Sequence, residues 1–517
     1  MQALANSHTC FAFDTPGFGD SSPLDCASPG MAALADALAE TLLALRFPPC
    51  AVFGSHTGAV IALELARRHP AQVTGLILDG FPLYTSQEQS EHFAGYFAPL
   101  VLDELGGHFA HSWTRFRDLF LWFPWNQKIP DNLNDTDAPT AQRLHLWVSM
   151  FFRAAEHYAA PYRAAIEYGS GAAEAICSLT TPAVFMAHSA DMLYSHLDRL
   201  PALRVGQSIE RMSRAEKNAA MVRAVARIDA TGVAPADPAV PAGAPFVSRH
   251  FLDFAHGQLL VRVAGDPAAQ RLPLLLLHDA PGSSLSLEPL LCELAGTRRV
   301  ITLDLPGCGE SMPLADSRSS LGYCAALVTQ VLDRLGVSRC ALYGCGFGSS
   351  LALELAAQNP QQYTQVLLHG LCLPAAAQRQ EMLLNYAPTI NIEADGSHWY
   401  RTWLMLRDTL IYFPWYAGRA AALRRVEVEF DARQLHERTF EVLKQSQGYP
   451  QFIHAALGQD AARRCADVVG AGVAVQVCAD PLHPFAAYAE QLGTLVQTLQ
   501  IPFAASSGPL AALQALA

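Results

Sequence analysis

Two glycine-framed turns hold the positions at which this sequence could do chemistry. In the first, Gly54–Gly58, the central residue is His56, and in the second, Gly344–Gly348, it is Gly346. Each turn joins a short apolar run to an apolar helix, a layout that exposes the side chain at the apex. We call these turns the first and the second elbow. The residues expected at such an apex are Ser, Asp or Cys, and neither elbow has one.

His56 is the apex residue that retains a reactive side chain. An imidazole titrates near neutral pH, so His56 could act as a base or a nucleophile; the alternative is a histidine that only hydrogen-bonds across a vestigial pocket. Cys345, one residue before the second apex, is a candidate catalytic thiol. Its off-apex position equally fits a small buried hydrophobe that points into the protein, and Ser55 has the same placement.

The two elbows belong to a long internal repeat. Asp14–Ser21 matches Asp304–Ser311 at a spacing of 290 residues. The same spacing pairs four further positions: His108 with His398, Trp113 with Trp403, Arg117 with Arg407, and Trp125 with Trp415. Because these matches continue without a gap, the sequence predicts a tandem duplication.

Length and composition agree with two domains. The chain has 517 residues, of which 51% are hydrophobic, and we predict domains at 1–229 and 246–517. The intervening 230–245 is rich in Pro, Ala and Gly and predicts a semi-stiff linker. A net charge of −12 argues against nucleic-acid binding.

The cysteine spacing and the lengths of the apolar runs indicate the cellular location. The twelve cysteines form no CxxC pairs, which favours a reduced cytoplasm. No apolar run is long enough to span a membrane, and no signal segment is evident at the start. We expect a cytoplasmic protein without metal or cofactor.

Alternating strand and helix patterns define the fold class. Arg249–Phe254 and Gln258–Val263 predict a strand pair, Pro273–His278 and Val300–Leu303 predict buried strands, and Leu321–Leu335 predicts a helix. Strands that alternate with helices predict an α/β fold, with a mostly parallel sheet flanked by helices.

Three motifs occur in a characteristic order: the His278–Gly282 turn, the Asp-x-Pro-Gly-x-Gly-x-Ser turn at Asp304, and the second elbow. In this order they resemble the α/β-hydrolase superfamily. The resemblance implies two α/β-hydrolase-like domains, each with a helical cap, at about 84–165 and 374–460. It also implies triad acids after the runs 182–187 and 473–478, which makes Asp191 and Asp480 the candidates. An Asp in such a place can also be a turn residue.

Other parts of the expected machinery are missing from the sequence. The superfamily places its histidine after the last strand, yet neither candidate last strand, 204–212 or 501–507, is followed by one. His483 lies only three residues after Asp480, so we interpret it as a surface histidine. The turn His278-Asp279 has Asp where the superfamily has Gly, which disfavours a developing oxyanion. The first copy begins after its oxyanion-loop strand, so either its start lies upstream of Met1 or another segment fills the gap.

The predicted caps supply the candidate substrate-binding residues. An Arg among aromatic side chains suits a small carboxylate. The alternative is structural, with aromatic residues packing the cap and Arg117-Asp118 and Arg407-Asp408 forming ion pairs. Together with the oxyanion-turn histidine, the candidates are His108, Arg117, Trp125, His278, His398, Arg407 and Trp415.

These observations leave more than one function open. The chain could hydrolyse an ester, lactone, amide or carbon–halogen bond in a small molecule with non-standard residues, with the second copy inactive. It could instead be a catalytically inactive binding or scaffold protein, and a cofactor-free lyase or oxygenase is a third reading. The expected partner is a small-molecule substrate or ligand, and we expect the two copies to pack on each other or the chain to form a homodimer.

Overall fold

The computed structural model describes residues 3–26, 28–134, 136–228, 247–480, 483–500 and 509–516. It divides into two compact units: unit 1 comprises Met1–Val101 and His111–Ala242, and unit 2 comprises Leu102–Ala110 and Gly243–Ala517. The predicted linker 230–245 and the predicted strand 501–507 lie outside the described residues, so both remain predictions.

Unit 1 contains a four-stranded sheet. Its strands are all parallel and run in the order β1-β2-β3-β4: Cys50–Ser55 (β1), Val73–Asp79 (β2), Ala183–His188 (β3) and Gln207–Met212 (β4). The helices are Met31–Ala44 (α1), Thr57–Arg68 (α2), Ser86–His92 (α3), Gly107–Leu121 (α4), Ala141–Phe152 (α5), Ala159–Glu167 (α6), Gly169–Ser178 (α7) and Lys217–Arg227 (α8).

The continuous apolar sequences of β2 and α2 place these two elements in the core of unit 1. All but one residue of β2 are buried, and in α2 the run Ala59–Ala66 is buried throughout. Parallel strands that helices cover on both faces have continuous apolar sequences, because both faces of each strand are buried. The helix α3 begins at a capping box in which Thr85 and Glu88 satisfy each other's backbone N–H groups.

Unit 2 contains an eight-stranded sheet in the order β12-β11-β10-β9-β7-β8-β6-β5. The strands are Ser248–Phe254 (β5), Gly257–Ala264 (β6), Leu274–Leu277 (β7), Val300–Leu303 (β8), Cys340–Cys345 (β9), Tyr363–His369 (β10), Ala474–Ala479 (β11) and Gln497–Gln500 (β12). β6 is antiparallel to β5 and β8, and the other neighbours are parallel.

The helices of unit 2 cover this sheet and form an insertion between β10 and β11. They are Glu288–Leu294 (α9), Leu321–Arg334 (α10), Gly348–Gln358 (α11), Ala376–Asn385 (α12), Ser397–Ile411 (α13), Ala432–Leu443 (α14), Tyr449–Gly458 (α15), Ala461–Gly470 (α16) and Leu510–Ala515 (α17). Among the described residues, no helix has the length and apolar character needed to cross a membrane.

The predicted elements of the second copy are confirmed. The strand pair at 249–263 is β5 and β6, the buried strands are β7 and β8, and the predicted helix is α10. Helices also occupy both predicted cap regions, α3–α6 in the first and α12–α15 in the second. In both units the parallel strands place their carboxyl ends at one edge of the sheet, where the elbows lie.

Candidate active site

The first elbow holds His56 in a strained backbone conformation. His56 has φ 51° and ψ −113°, a left-handed geometry that costs a residue with a side chain about 1–3 kcal/mol. Nearby glycines make room for it. A Cβ on Gly54 would lie 2.1 Å from the Gly58 carbonyl oxygen, and a Cβ on Gly80 would lie 2.5 Å from His56 Cδ2. The strain therefore directs one imidazole outward from the end of β1.

Asp191, a candidate acid, lies against this imidazole. His56 Nε2 lies 3.0 Å from Asp191 Oδ2, and the side chains are 42% and 6% exposed. Asp191 Oδ1 accepts the backbone N–H of Leu193 at 2.9 Å. Burial opposes ionisation of Asp191, but these interactions with His56 and Leu193 outweigh it and lower the pKa of the carboxyl to about 2.

The ionised Asp191 fixes how a neutral His56 carries its proton. A carboxylate only accepts hydrogen bonds, so the neutral ring donates Nε2–H and keeps its lone pair on Nδ1. The ring is half exposed, and Nδ1 has no hydrogen-bond partner among the described residues. This is the arrangement of an oriented general base.

Ser55 is held away from the apex. Its hydroxyl donates to Asp79 Oδ2 at 3.1 Å, and Lys217 Nζ lies 2.6 Å from the same oxygen. Asp79 is fully buried, so the lysine compensates a charge that burial would otherwise penalise. The hydroxyl of Ser55 therefore serves this buried ion pair.

The second elbow is occupied by a carboxylate from another loop. Gly346 has φ +52°, and a Cβ placed on it would lie 1.9 Å from Asp279 Oδ1. That oxygen accepts the backbone N–H groups of Phe347 and Ala280, each at 2.8 Å. The carboxylate of Asp279 thus stands where an apex side chain would stand.

Phe347 N–H is the donor that would stabilise an oxyanion, because it belongs to the residue after the apex. Its acceptor here is a resident carboxylate. Burial raises the pKa of Asp279 to about 6, against the lowering effect of the two backbone hydrogen bonds. At neutral pH the negative charge already present at these donors opposes a second one.

We expect Asp279→Asn to change how the stability of unit 2 depends on pH. Because the folded-state pKa is raised from 3.8 to about 6, the stabilising contribution of the bound proton is complete below about pH 4. It is lost as pH rises through 6, and by pH 8 the loss is about 3 kcal/mol. The variant lacks this titration. Urea unfolding followed by hydrogen exchange of β9 and β10 measures the free energy of unfolding of unit 2. Between pH 4.5 and 7.5 this free energy should decrease less in the variant than in wild type. Equal decreases would contradict the prediction.

His369 and Asp480 form an ion pair in unit 2. His369 Nε2 lies 2.9 Å from Asp480 Oδ2, and its Nδ1 lies 2.8 Å from the Tyr343 hydroxyl. Burial opposes protonation of His369, but Asp480 and the Cys345 thiol together raise its pKa well above the ordinary value. Both ring nitrogens therefore donate, and His369 has no lone pair for a base.

Cys345 lies beside this pair. It is partly buried and is the register partner of His369 on the neighbouring strand. His483 Nε2 is 4.0 Å from Cys345 Sγ. His483, interpreted as a surface histidine, is half-buried instead, and its ring fills the space that a Cβ on Gly370 would occupy, at 1.9 Å from Nδ1.

Three of the candidate substrate-binding histidines are buried and make hydrogen bonds to the backbone. His278 Nε2 accepts the N–H of Leu305 at 2.9 Å, and its Nδ1 lies 2.6 Å from the Asp279 carbonyl oxygen. His108 Nδ1 accepts the N–H of Asp103 at 3.4 Å. His398 Nδ1 accepts the equivalent N–H, that of Glu393, at 3.2 Å. These contacts favour structural roles, and substrate binding stays a prediction.

The candidate tryptophans also repeat one contact at the 290-residue spacing. Trp125 Nε1 donates to the Tyr96 carbonyl at 3.1 Å, and Trp415 Nε1 donates to the Tyr386 carbonyl at 2.9 Å. The paired contacts support the predicted duplication. They tie each ring to the cap backbone and leave the indole N–H unavailable to a ligand.

The candidate arginines are placed differently from each other. Arg117 is exposed, and the buried guanidinium of that helix is Arg115, which donates to the Ala98 carbonyl at 2.9 Å. Arg407 lies 4.0 Å from the Phe430 ring centroid. The alternative ion pair Arg117–Asp118 is not formed within the described ranges, where Asp118 pairs with Lys128.

Two site residues were missed by the sequence interpretation. His369 occupies the position that matches Asp79 at the 290-residue spacing, and a polar residue at the end of a buried strand was the available signal. In unit 2, the resemblance to the superfamily implied a base only after the last strand. The occupation of the second apex by Asp279 had no sequence signal beyond its replacement of Gly. Among the described residues, no cluster of three or more His, Cys, Asp or Glu could hold a metal ion.

The comparisons with known proteins identify the family of this chain. The chain matches the family described as alpha/beta hydrolase fold over residues 1–157 and 273–386. These segments make up more than half of the chain, which therefore belongs to the α/β-hydrolase family. The predicted superfamily and fold class are confirmed.

Individual relatives match shorter parts. Proline iminopeptidase of Lactobacillus delbrueckii subsp. bulgaricus is 32% identical over 151 residues, which is 28% of this chain and 50% of that protein. The enzyme of the same name from Neisseria gonorrhoeae is 28% identical over 134 residues, 25% of this chain and 43% of that protein. The chain thus spans about half the length of the curated relatives it matches.

Solved structures of similar proteins include two hydrolases. A hydrolase from Pseudomonas aeruginosa PA01 is 17% identical, with a TM-score of 0.39 over 52% of this chain and 94% of that chain. Epoxide hydrolase A from Mycobacterium thermoresistibile is 18% identical, with a TM-score of 0.38 over 49% and 90%.

Proposed function

We propose that unit 1 hydrolyses an ester, lactone, amide or carbon–halogen bond in a small molecule, with His56 as general base and water as nucleophile. The observation that carries the proposal is the 3.0 Å contact between His56 Nε2 and Asp191 Oδ2 at the apex of the first elbow. It supplies a base and its orienting acid where a nucleophile would otherwise stand.

In this mechanism one proton passes from water through His56 to the leaving group. Nδ1 of His56 accepts a proton from water while the water oxygen bonds to the substrate carbon. The imidazolium that forms is stabilised by the ionised Asp191, and it returns the proton to the leaving group. For an acyl substrate, the amino-terminal end of α2 favours the negative charge that develops on the carbonyl oxygen. No covalent intermediate is needed.

The choice among these bonds has one indirect support. The curated relatives are named proline iminopeptidase, which makes an amide the first bond to assay. A carbon–halogen bond would be broken by the same activated water: the halide leaves as the anion, and the imidazolium of His56 loses its proton to solvent.

The direct experiment is a hydrolysis panel on the full chain. It should include p-nitrophenyl esters, aminoacyl p-nitroanilides, lactones and haloalkanes, each assayed with wild type and Asp191→Asn. We expect turnover of at least one class. The Asn side chain can stabilise the wrong tautomer of His56, so kcat/KM should fall by on the order of 10²–10⁴-fold. Turnover unaffected by the substitution would overturn the proposed pair.

A second candidate function concerns unit 2, which we propose is catalytically inactive and retained for binding. The supporting observation is the Asp279 carboxylate at the second apex, with Oδ1 on Phe347 N–H at 2.8 Å. Saturable binding of a ligand without turnover in unit 2 is the expected behaviour. Hydrolysis that persists in Asp191→Asn and disappears in His369→Ala would contradict it.

A further inference from the structure

The sheet of unit 1 ends at β1, and no described strand lies against its outer edge. β1 pairs with β2 alone, whereas the matching strand β9 of unit 2 lies between β10 and β7. In unit 2 the Ala341 N–H donates to the Pro273 carbonyl, just before β7, at 2.9 Å. Ala51 matches Ala341 at the 290-residue spacing, and its N–H has no such acceptor among the described residues. The described part of unit 1 therefore lacks a counterpart of β7.

The segment that would lie on the other side of such a strand is present. Cys10–Phe13 matches β8 at the 290-residue spacing, and the turn after it keeps a hydrogen bond of its counterpart. The Ser21 hydroxyl donates to the Asp14 carbonyl at 2.8 Å, and the Ser311 hydroxyl donates to the Asp304 carbonyl at 2.6 Å. β8 pairs with β7, whereas Cys10–Phe13 pairs with no strand that the structure describes. Unit 1 thus has both neighbours of a β7-like strand.

Three phenylalanines on these two neighbours are exposed where unit 2 buries the matching residues. Phe11, Phe13 and Phe53 are 43%, 42% and 47% exposed. The matching residues are at most 1% exposed, and they are Ile301, Leu303 and Tyr343. Neither β1 nor Cys10–Phe13 contains a charged residue, although edge strands commonly carry charges that discourage pairing. An apolar edge without charges favours the addition of a further strand.

We propose that the outer edge of β1 takes up an extended apolar strand from a separate polypeptide, parallel to β1 and between β1 and Cys10–Phe13. The residues of β7 lie opposite 341–344 of β9, so four consecutive partner residues should lie opposite 51–54. A parallel strand inside a sheet is buried on both faces, so these four residues should be uncharged. A second copy of this chain is a poor donor, because its own strand of this type, β7, is completely buried.

Hydrogen exchange of the full chain with a synthetic strand tests the proposal, and it does so whether or not unit 1 is a hydrolase. The probe is a peptide with the sequence of residues 271–279 and a lysine tail for solubility. We expect saturable binding, and the Ala51 and Phe53 amides should exchange at least about tenfold more slowly in the complex. Protection confined to elements other than β1 would overturn the proposal. So would protection of β1 that rises with chain concentration without peptide, because a second copy would then be the partner.

A second peptide separates strand pairing from apolar adhesion. It carries proline in place of the leucine that corresponds to Leu276, which removes one backbone donor and keeps the peptide apolar. This peptide should bind about tenfold or more weakly, the loss of a hydrogen bond together with the clash of the proline ring. Equal binding of the two peptides would contradict the proposed pairing.

Substitutions in the chain assign the binding to the β1 edge. Ala51→Pro removes an outward N–H of β1, a change that edge strands tolerate, and it should weaken the leucine peptide about tenfold or more. Ile209→Pro is the matched control. On β4, at the other edge of the same sheet, Met212 and Gly206 direct their carbonyls to β3, so the N–H of Ile209 points away from it. Wild-type affinity is expected for this control. Equal losses in the two folded variants would overturn the assignment, and the two peptides on wild type decide the matter if Ala51→Pro does not fold.

Discussion

Replacing His56 by alanine is expected to lower kcat/KM for the best substrate by on the order of 10²–10⁴-fold, the usual contribution of a positioned general base. The imidazole side chain is 42% exposed, so its removal leaves little cavity. The left-handed backbone strains alanine as it strains histidine. The substitution also leaves the buried Asp191 carboxylate without its imidazole partner, so we expect the free energy of unfolding to fall by about 1–3 kcal/mol. Steady-state kinetics and urea unfolding of the same preparations separate the two effects.

His69→Ala is the matched control. His69 Nε2 lies 2.7 Å from Asp36 Oδ1, so this variant removes another His–Asp pair of unit 1, one outside the elbow. Its kcat/KM should equal that of wild type. Full activity in His56→Ala, or the same loss in both variants, would remove His56 from the mechanism.

Gly346→Ala should destabilise unit 2 strongly. The left-handed φ of +52° costs alanine about 1–2 kcal/mol. The new Cβ must also displace the Asp279 carboxylate from two backbone donors, each worth about 1.5–3 kcal/mol as a hydrogen bond to a charged group. The expected total is about 4–8 kcal/mol. Hydrogen exchange of β9 and α11 during urea unfolding measures this loss in the free energy of unfolding of unit 2.

Two further variants separate the causes. Gly336 has φ +69°, and a Cβ added to it would have nothing within 4 Å, so Gly336→Ala measures backbone strain alone, about 1–2 kcal/mol. In an Asp279→Gly background, Gly346→Ala should also cost only about 1–2 kcal/mol. A cost that is unchanged by removing Asp279 would show that the carboxylate does not occupy the apex.

The fold was predictable because its signals are local. The strand pair before Gly265, the buried run of β7 and the turn at Asp304 each combine an apolar pattern with glycine-rich punctuation. Trp125 and Trp415 were matched by the 290-residue spacing. In the structure each indole N–H donates to a tyrosine backbone carbonyl at the same spacing.

The site was predictable only in part, since it depends on contacts between distant segments. The pairing of Asp191 with the first apex could be anticipated from its place after β3. The meeting of Asp279 with Gly346 could not, because it depends on the side-chain direction at the end of β7. His369 was overlooked since a base was expected in the loops after the last strands. Its match with the buried Asp79 was the clue.

The candidate cap residues show a different limit of sequence patterns. His108 and His398 match each other, but the match reflects a shared hydrogen bond to a backbone N–H. Identical residues at the 290-residue spacing indicate a feature that both copies retain. For His108 and His398 that feature is the turn before a helix.

Rapid-mixing kinetics of the wild-type chain on its best chromogenic substrate test the central claim most directly. If His56 activates water and no covalent intermediate forms, product should appear linearly from the first turnover, without an initial burst. A burst that approaches one product per chain, with substrate mass covalently attached to the acid-quenched chain, would contradict this account, because a residue of the protein would then have acted as the nucleophile.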